Sequence, residues 1–139
     1  MYLYLKLDSR SSPVETASGI EARLIEAEAQ LDAGLVVQWL TTLNDARATL
    51  AMPPLTDPGT DDARVDLLFR ERAFWLFNTG HRLGDLRRLV RQYGRDPMTV
   101  YPVGPYHKDN LTIGSDLAIV IPGNESNNPK YVPCNDLIA

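Results

Sequence analysis

Glu71, His81, Arg82, Asp85, Arg87 and Arg88 fall within residues 64–88, RVDLLFRERAFWLFNTGHRLGDLRR, among large apolar side chains. Four chemistries are open to such a set. Glu71 and Asp85 are a carboxylate pair of the kind a glycoside hydrolase sets on either side of an open cleft. His81 and Asp85 stand at the four-residue helical spacing that can hold a metal ion or orient an imidazole. Residues 64–95 carry eight arginines against Asp66, Glu71 and Asp85, a basic balance that can contact phosphate. The last option is architectural: guanidiniums pair bidentately with carboxylates, and charges among aromatics are costly unless each finds a partner.

The architectural option accounts for most of the set. Glu71 and Asp85 are each expected to be held by arginines such as Arg82, Arg87 or Arg88, with Arg70 and Arg72 in the same network. Flanking guanidiniums favour the ionised carboxylate, which disfavours a general acid. No third metal ligand is evident beside His81 and Asp85, and His107 sits in a loop with no fixed relation to them. His81 is expected to donate to a carboxylate or carbonyl and hold the break between two helices. The net charge of −4 argues against a nucleic-acid partner. Outside the helices, Tyr101, Tyr106 and Tyr131 with Asn110, Asn124 and Asn127 offer aromatic faces and amides suited to a sugar at a shallow surface. The same tyrosines also suit the anchoring of a loop. Cys134 is the sole cysteine; it forms no internal disulfide, nothing near it activates a thiolate, and it reads as a spare thiol.

These residues need elements to position them. The 139 residues, 44% hydrophobic and 23% charged, suit one globular domain with a real core. No apolar run approaches the length of a membrane span, and Met1–Leu7 is too short and too quickly polar for a signal peptide. Tyr2, Tyr4 and Lys6 alternate with Leu3, Leu5 and Leu7, a short-strand pattern. Ser18 followed by Glu21 is a capping box. It opens a helix with Ile20, Leu24, Ala27 and Leu31 on one stripe, closed at Gly34. A second helix is expected over Val36–Leu50, with Val36, Leu40, Leu43 and Leu50 inward, stopped by Pro53 and Pro54. Thr60, Asp61 or Asp62 caps a third, running to Asn78 with Val65, Leu68, Phe69, Arg72, Trp75 and Leu76 in a stripe. Leu67, Phe74 and Phe77 widen that stripe until the helix is apolar nearly all round, hence central. Asn78-Thr79-Gly80 breaks it. A fourth helix follows over Arg82–Tyr93 with Leu83, Leu86, Leu89 and Tyr93 inward, and Gly94 closes it. Residues 95–139 read as a long ordered tail without a helix, with one short buried strand at Leu117–Ile121.

Two longer patterns carry a resemblance. E-R-x-F-W-L-F-N-T-G-H-R-L-x-D-L-R-R, from Glu71 to Arg88, is similar to the hallmark of the SusD/RagB family. I-V-I-P-G-N-E-S-N-N, from Ile119 to Asn128, resembles that family's tail motif, with Gly123 where many members have a bulkier polar residue. The hairpin at residues 18–50, with Ala22, Ala27, Ala29 and Ala33 small enough for close helix approach, resembles a tetratricopeptide-like unit, which the family contains. The resemblance implies a mainly α fold: the hairpin, motif helices over 61–93, and an irregular tail. It implies an outer-membrane, lipid-anchored nutrient-binding protein at the extracellular face of a Bacteroidetes-type bacterium. Such a protein captures a glycan or peptide and passes it, unaltered, to a TonB-dependent (SusC-like) transporter, with no cofactor or metal. Full members are several times longer and start with a signal and a lipid-bearing cysteine, so the chain is expected to be a C-terminal portion. On this view Arg70, Glu71, Arg72, His81, Arg82, Asp85, Arg87 and Arg88 hold the scaffold together and catalyse nothing. A helical-repeat adaptor that docks a protein through residues 18–50, and a glycoside hydrolase using Glu71 and Asp85, are the alternatives.

Overall fold

The computed structural model describes residues 9–13, 16–108, 111–113, 124 and 127–130. The protein is mainly α, in the order α1 (Gly19–Asp32), α2 (Val36–Ala48), α3 (Asp61–Trp75), α4 (Arg82–Arg91) and a single-turn α5 (Pro97–Val100), followed by β1 (Gly104–Pro105) and β2 (Thr112–Ile113). The chain divides into two compact units, Met1–His81 and Arg82–Ala139.

In the first unit Ser18 caps α1 as its sequence suggests. The hydroxyl accepts from Glu21 N at 3.0 Å, satisfying one of the amides that a helix start leaves without an intrahelical acceptor. Glu21 does not complete the capping box; its carboxylate goes to His81 instead. Gly34, at φ +72, takes the left-handed conformation that turns the chain after α1. The three residues Ala33–Leu35 then bring α2 back along α1, and these two helices are in contact. Leu24 and Ala27 of α1 and Trp39 of α2 are fully buried, with Leu43 and Ala46 nearly so. Thr42 is also buried, and its hydroxyl donates to Gln30 Oε1 of α1 at 2.8 Å.

The inward face of α2 therefore differs from the expected one. Trp39, Thr42, Leu43 and Ala46 are its buried residues, Val36 and Leu40 are half-buried, and Leu50 is 63% exposed because the helix ends before it. The expected stripe followed aliphatic residues alone and passed over the largest buried side chain of the hairpin.

Residues 52–59 lead to α3. Asn44 fixes them like a strand neighbour: its side chain donates to Leu55 O at 3.2 Å and accepts from Leu55 N at 2.7 Å. Thr60 then caps α3, accepting from Ala63 N at 3.3 Å. Arg64 binds Asp57 through two nitrogens, both at 2.8 Å, and Asp61 at 2.6 Å. The Arg64 guanidinium, and after it the Gly59 N–H, hold the Asp57 carboxyl down at about 2, while the carboxylates raise the Arg64 value correspondingly.

α3 also contacts α1, burying Val65, Leu67, Leu68, Phe69, Glu71 and Arg72. It ends at Trp75, three residues sooner than expected, and it is not apolar all round in effect: Phe74 is 69% and Phe77 63% exposed. Asn78 at φ +59 and Gly80 at φ +86 make the break.

In the second unit α4 buries Asp85 and Leu86, whereas Leu83, expected inward, is 47% exposed. Gly94 adopts φ +62 after it. The tail is not helix-free: Asp96 accepts from Met98 N at 2.9 Å and caps α5, with Pro97 in the first turn where a missing N–H does no harm. β1 pairs antiparallel with β2, Gly104 opposite Ile113. The expected strands at residues 2–7 and 117–121 lie outside the described residues.

Candidate functional site

The carboxylates picked out by their spacing are buried. Glu71 is 2% exposed, and both its oxygens accept from Arg47 Nη1, at 2.9 and 3.0 Å. Arg47 belongs to α2 and also donates through Nε to Pro53 O at 2.8 Å. One guanidinium thus ties α2 to α3 and to the chain that joins them. The expected partners of Glu71 were Arg82, Arg87 or Arg88; its partner is Arg47. Asp85, 5% exposed, takes Arg88 of its own helix at 3.3 Å, one of the arginines expected for it. Arg72, 4% exposed, lies 4.0 Å from Glu28 of α1, itself 7% exposed. Of the other motif arginines, Arg70 and Arg82 are exposed and Arg87 is half-buried.

His81 finds its carboxylate in α1. Its Nε2 lies 2.8 Å from Glu21 Oε1, and since an ionised carboxylate only accepts, the imidazole donates. Its Nδ1 lies 2.7 Å from Thr79 Oγ1, and that hydroxyl donates to Leu76 O at 2.6 Å, closing the end of α3. His81 therefore links the α3 terminus to the first turn of α1. Among the described residues no three His, Cys, Asp or Glu side chains are grouped to hold a metal ion.

A cavity of about 680 Å³ opens where the start of α1 meets the ends of α2 and α3. Antiparallel pairing of α1 and α2 puts Ser18 and Glu21 beside Asp45, Ala46 and Thr49, and α3 delivers Trp75, Leu76, Thr79 and His81 to the same rim. Its size is that of a site for a small organic ligand. Its charged lining is Glu21 with His81, Arg23 with Glu26 at 2.7 Å, and Asp45. A second, more open cavity of about 470 Å³ lies between Pro54–Pro58 and the outer face of α3, with Asp66 and Arg70 on its wall.

Tyr101 is half-buried; Tyr106 is 40% exposed and its ring lies 4.4 Å from that of His107, tilted by 54°. Asn124 and Asn127 are exposed. Tyr131, Asn110, Gly123 and Cys134 lie outside the described residues.

No family model, no curated protein and no solved structure matches the chain. The SusD/RagB likeness stands on its two motifs alone.

Sequence reasoning passed over Arg47, Glu21 and Asp45. Arg47 lies 24 residues before Glu71, beyond any helical periodicity. Glu21 was assigned to the cap. Only the surplus of charge in an apolar stretch pointed to distant partners, and it could not name them.

Proposed function

We propose that the chain serves nutrient capture of the SusD/RagB kind: non-covalent binding of an extracellular glycan or peptide at the bacterial outer membrane, and its delivery, unaltered, to a TonB-dependent transporter. A lipid anchor would supply the membrane attachment. The observation that carries the non-catalytic part is Glu71, 2% exposed with both oxygens on Arg47. A carboxylate so enclosed has no path to a substrate, and a glycoside hydrolase needs both of its carboxyls at an open cleft. Asp85, the other candidate, is buried and paired with Arg88. The motif charges then act as ties between helices, leaving the surface for ligand and transporter.

The test is co-purification of the full chain with a TonB-dependent transporter encoded beside it, together with calorimetric titration against neutral oligosaccharides and short peptides. Retention on the transporter and saturable binding of either ligand class support the reading. Turnover of an oligosaccharide that disappears in Glu71→Gln would overturn it.

A protein–protein adaptor is the second reading. It is favoured by Val37 and Ile25, which leave 76% and 56% of their surface open on the α1–α2 hairpin. Val37→Asp should then abolish partner binding and leave the melting temperature in place.

A further inference from the structure

We propose that the cavity at the junction of α1, α2 and α3 binds an organic cation, an alkylammonium or guanidinium group such as a lysine or arginine side chain, with Asp45 as the residue that selects its charge. This deepens the capture reading and rests on it for the idea that a ligand is held. Three observations converge. First, every charged group of the lining has a partner except Asp45. Arg23 is taken by Glu26, and Glu21 by His81. Asp45 is exposed and makes no hydrogen bond or ion pair among the described residues, and neighbouring Arg47 is engaged by Glu71 and Pro53 O.

Second, Asp45 stands in the last turn of α2 (Val36–Ala48), where the helix dipole disfavours a carboxylate. A charge that opposes its own helix and has no partner breaks a local rule of stability, and such breaks concentrate at functional positions. Third, Trp75 contributes to the same lining, and an indole face attracts cations. Ile20, Ala46 and Leu76 offer apolar wall for the stem of such a side chain.

The protein has two tryptophans. Trp39 is fully buried and Trp75 lines the cavity, so Trp75 emission reports occupancy and Trp75→Phe is the blank. The full chain is titrated with free lysine, with acetyl-Gly-Lys-Gly-amide, with the norleucine counterpart of that peptide, and with maltohexaose. The lysine peptide should bind at least ~10-fold more tightly than the norleucine peptide, with affinity falling as salt rises. In Asp45→Asn that preference should vanish while the melting temperature rises by about 1–4 °C, because the unfavourable charge is gone. A ratio between free lysine and the peptide tells a free amine from a peptide side chain.

Equal binding of the lysine and norleucine peptides, no binding of either, a preference that survives Asp45→Asn, or a lower melting temperature in that variant each overturns the proposal. Maltohexaose binding that is indifferent to Asp45→Asn, with no lysine selectivity, removes this site and leaves nutrient capture standing. Lysine-selective binding without any transporter in the pull-down keeps the site and removes the capture reading.

Discussion

At the scale of the residue, the strongest statement concerns Glu71 and Arg47. Removing one partner of an enclosed ion pair leaves the other charge desolvated and unpaired, at a cost of about 3–5 kcal/mol. Glu71→Ala is therefore expected to lose about that much stability in urea unfolding, and an unchanged midpoint would falsify the role given to the pair. The double variant Arg47→Met, Glu71→Leu removes both charges and is expected to recover most of the loss. Asp57 gives a prediction in pH. Its carboxyl is held at about 2 in the folded chain against an ordinary 3.8. A group with a depressed folded value contributes stability above its unfolded value and loses it as pH falls through the folded one. Acid unfolding between about pH 4 and pH 2 should thus flatten in Asp57→Asn, and a profile that matches the parent would remove Asp57 from the acid response. The residues of the motif were legible as a mutually dependent set because their charges sit among Leu, Phe and Trp. Their partners were not. Arg47 comes from another helix, and local spacing says nothing of which distant guanidinium reaches a given carboxylate.

At the scale of the element, helix starts were legible and faces less so. Ser18 and Thr60 both cap as their types suggest. Ser18→Ala is expected to cost about 1 kcal/mol, read as a lower melting temperature. Faces depend on what a helix meets. Trp39 reaches the interior of the α1–α2 pair although its flanking residues, Gln38 and Leu40, give no simple stripe, and Leu24→Ala at the equally buried position of α1 should cost about 2–5 kcal/mol. Phe74 and Phe77 mislead in the other direction: size and apolarity placed them in the core, but Phe74 lies on an exposed face of α3 and Phe77 beyond its early end. Phe74→Ser is expected to change stability by less than about 0.5 kcal/mol, and a large fall in the melting temperature would show that the ring is covered.

At the scale of the whole molecule, the mainly α character followed from helical periodicity and from caps at the right places. The short α5 and the β1–β2 pair were not anticipated in position. Residues 95–139 were read as free of helix, though proline in a first helical turn is compatible with a helix behind an aspartate cap. The grouping into two units, with His81 at the end of the first, has no marker in composition: the boundary falls inside the motif. His81 nonetheless belongs with α1 through Glu21, an association that only folding creates.

Asn44 holds Leu55 by both of its amide atoms, one as donor and one as acceptor. The arrangement reads the polarity of the side chain, so a change of a single atom is enough to undo it. Asn44→Asp, the product of hydrolytic ageing at that amide, keeps the shape and turns an oxygen toward the Leu55 carbonyl. The connector would be repelled where it had been clasped, and protease cleavage near Leu55 should quicken in aged preparations before any loss of helix is visible.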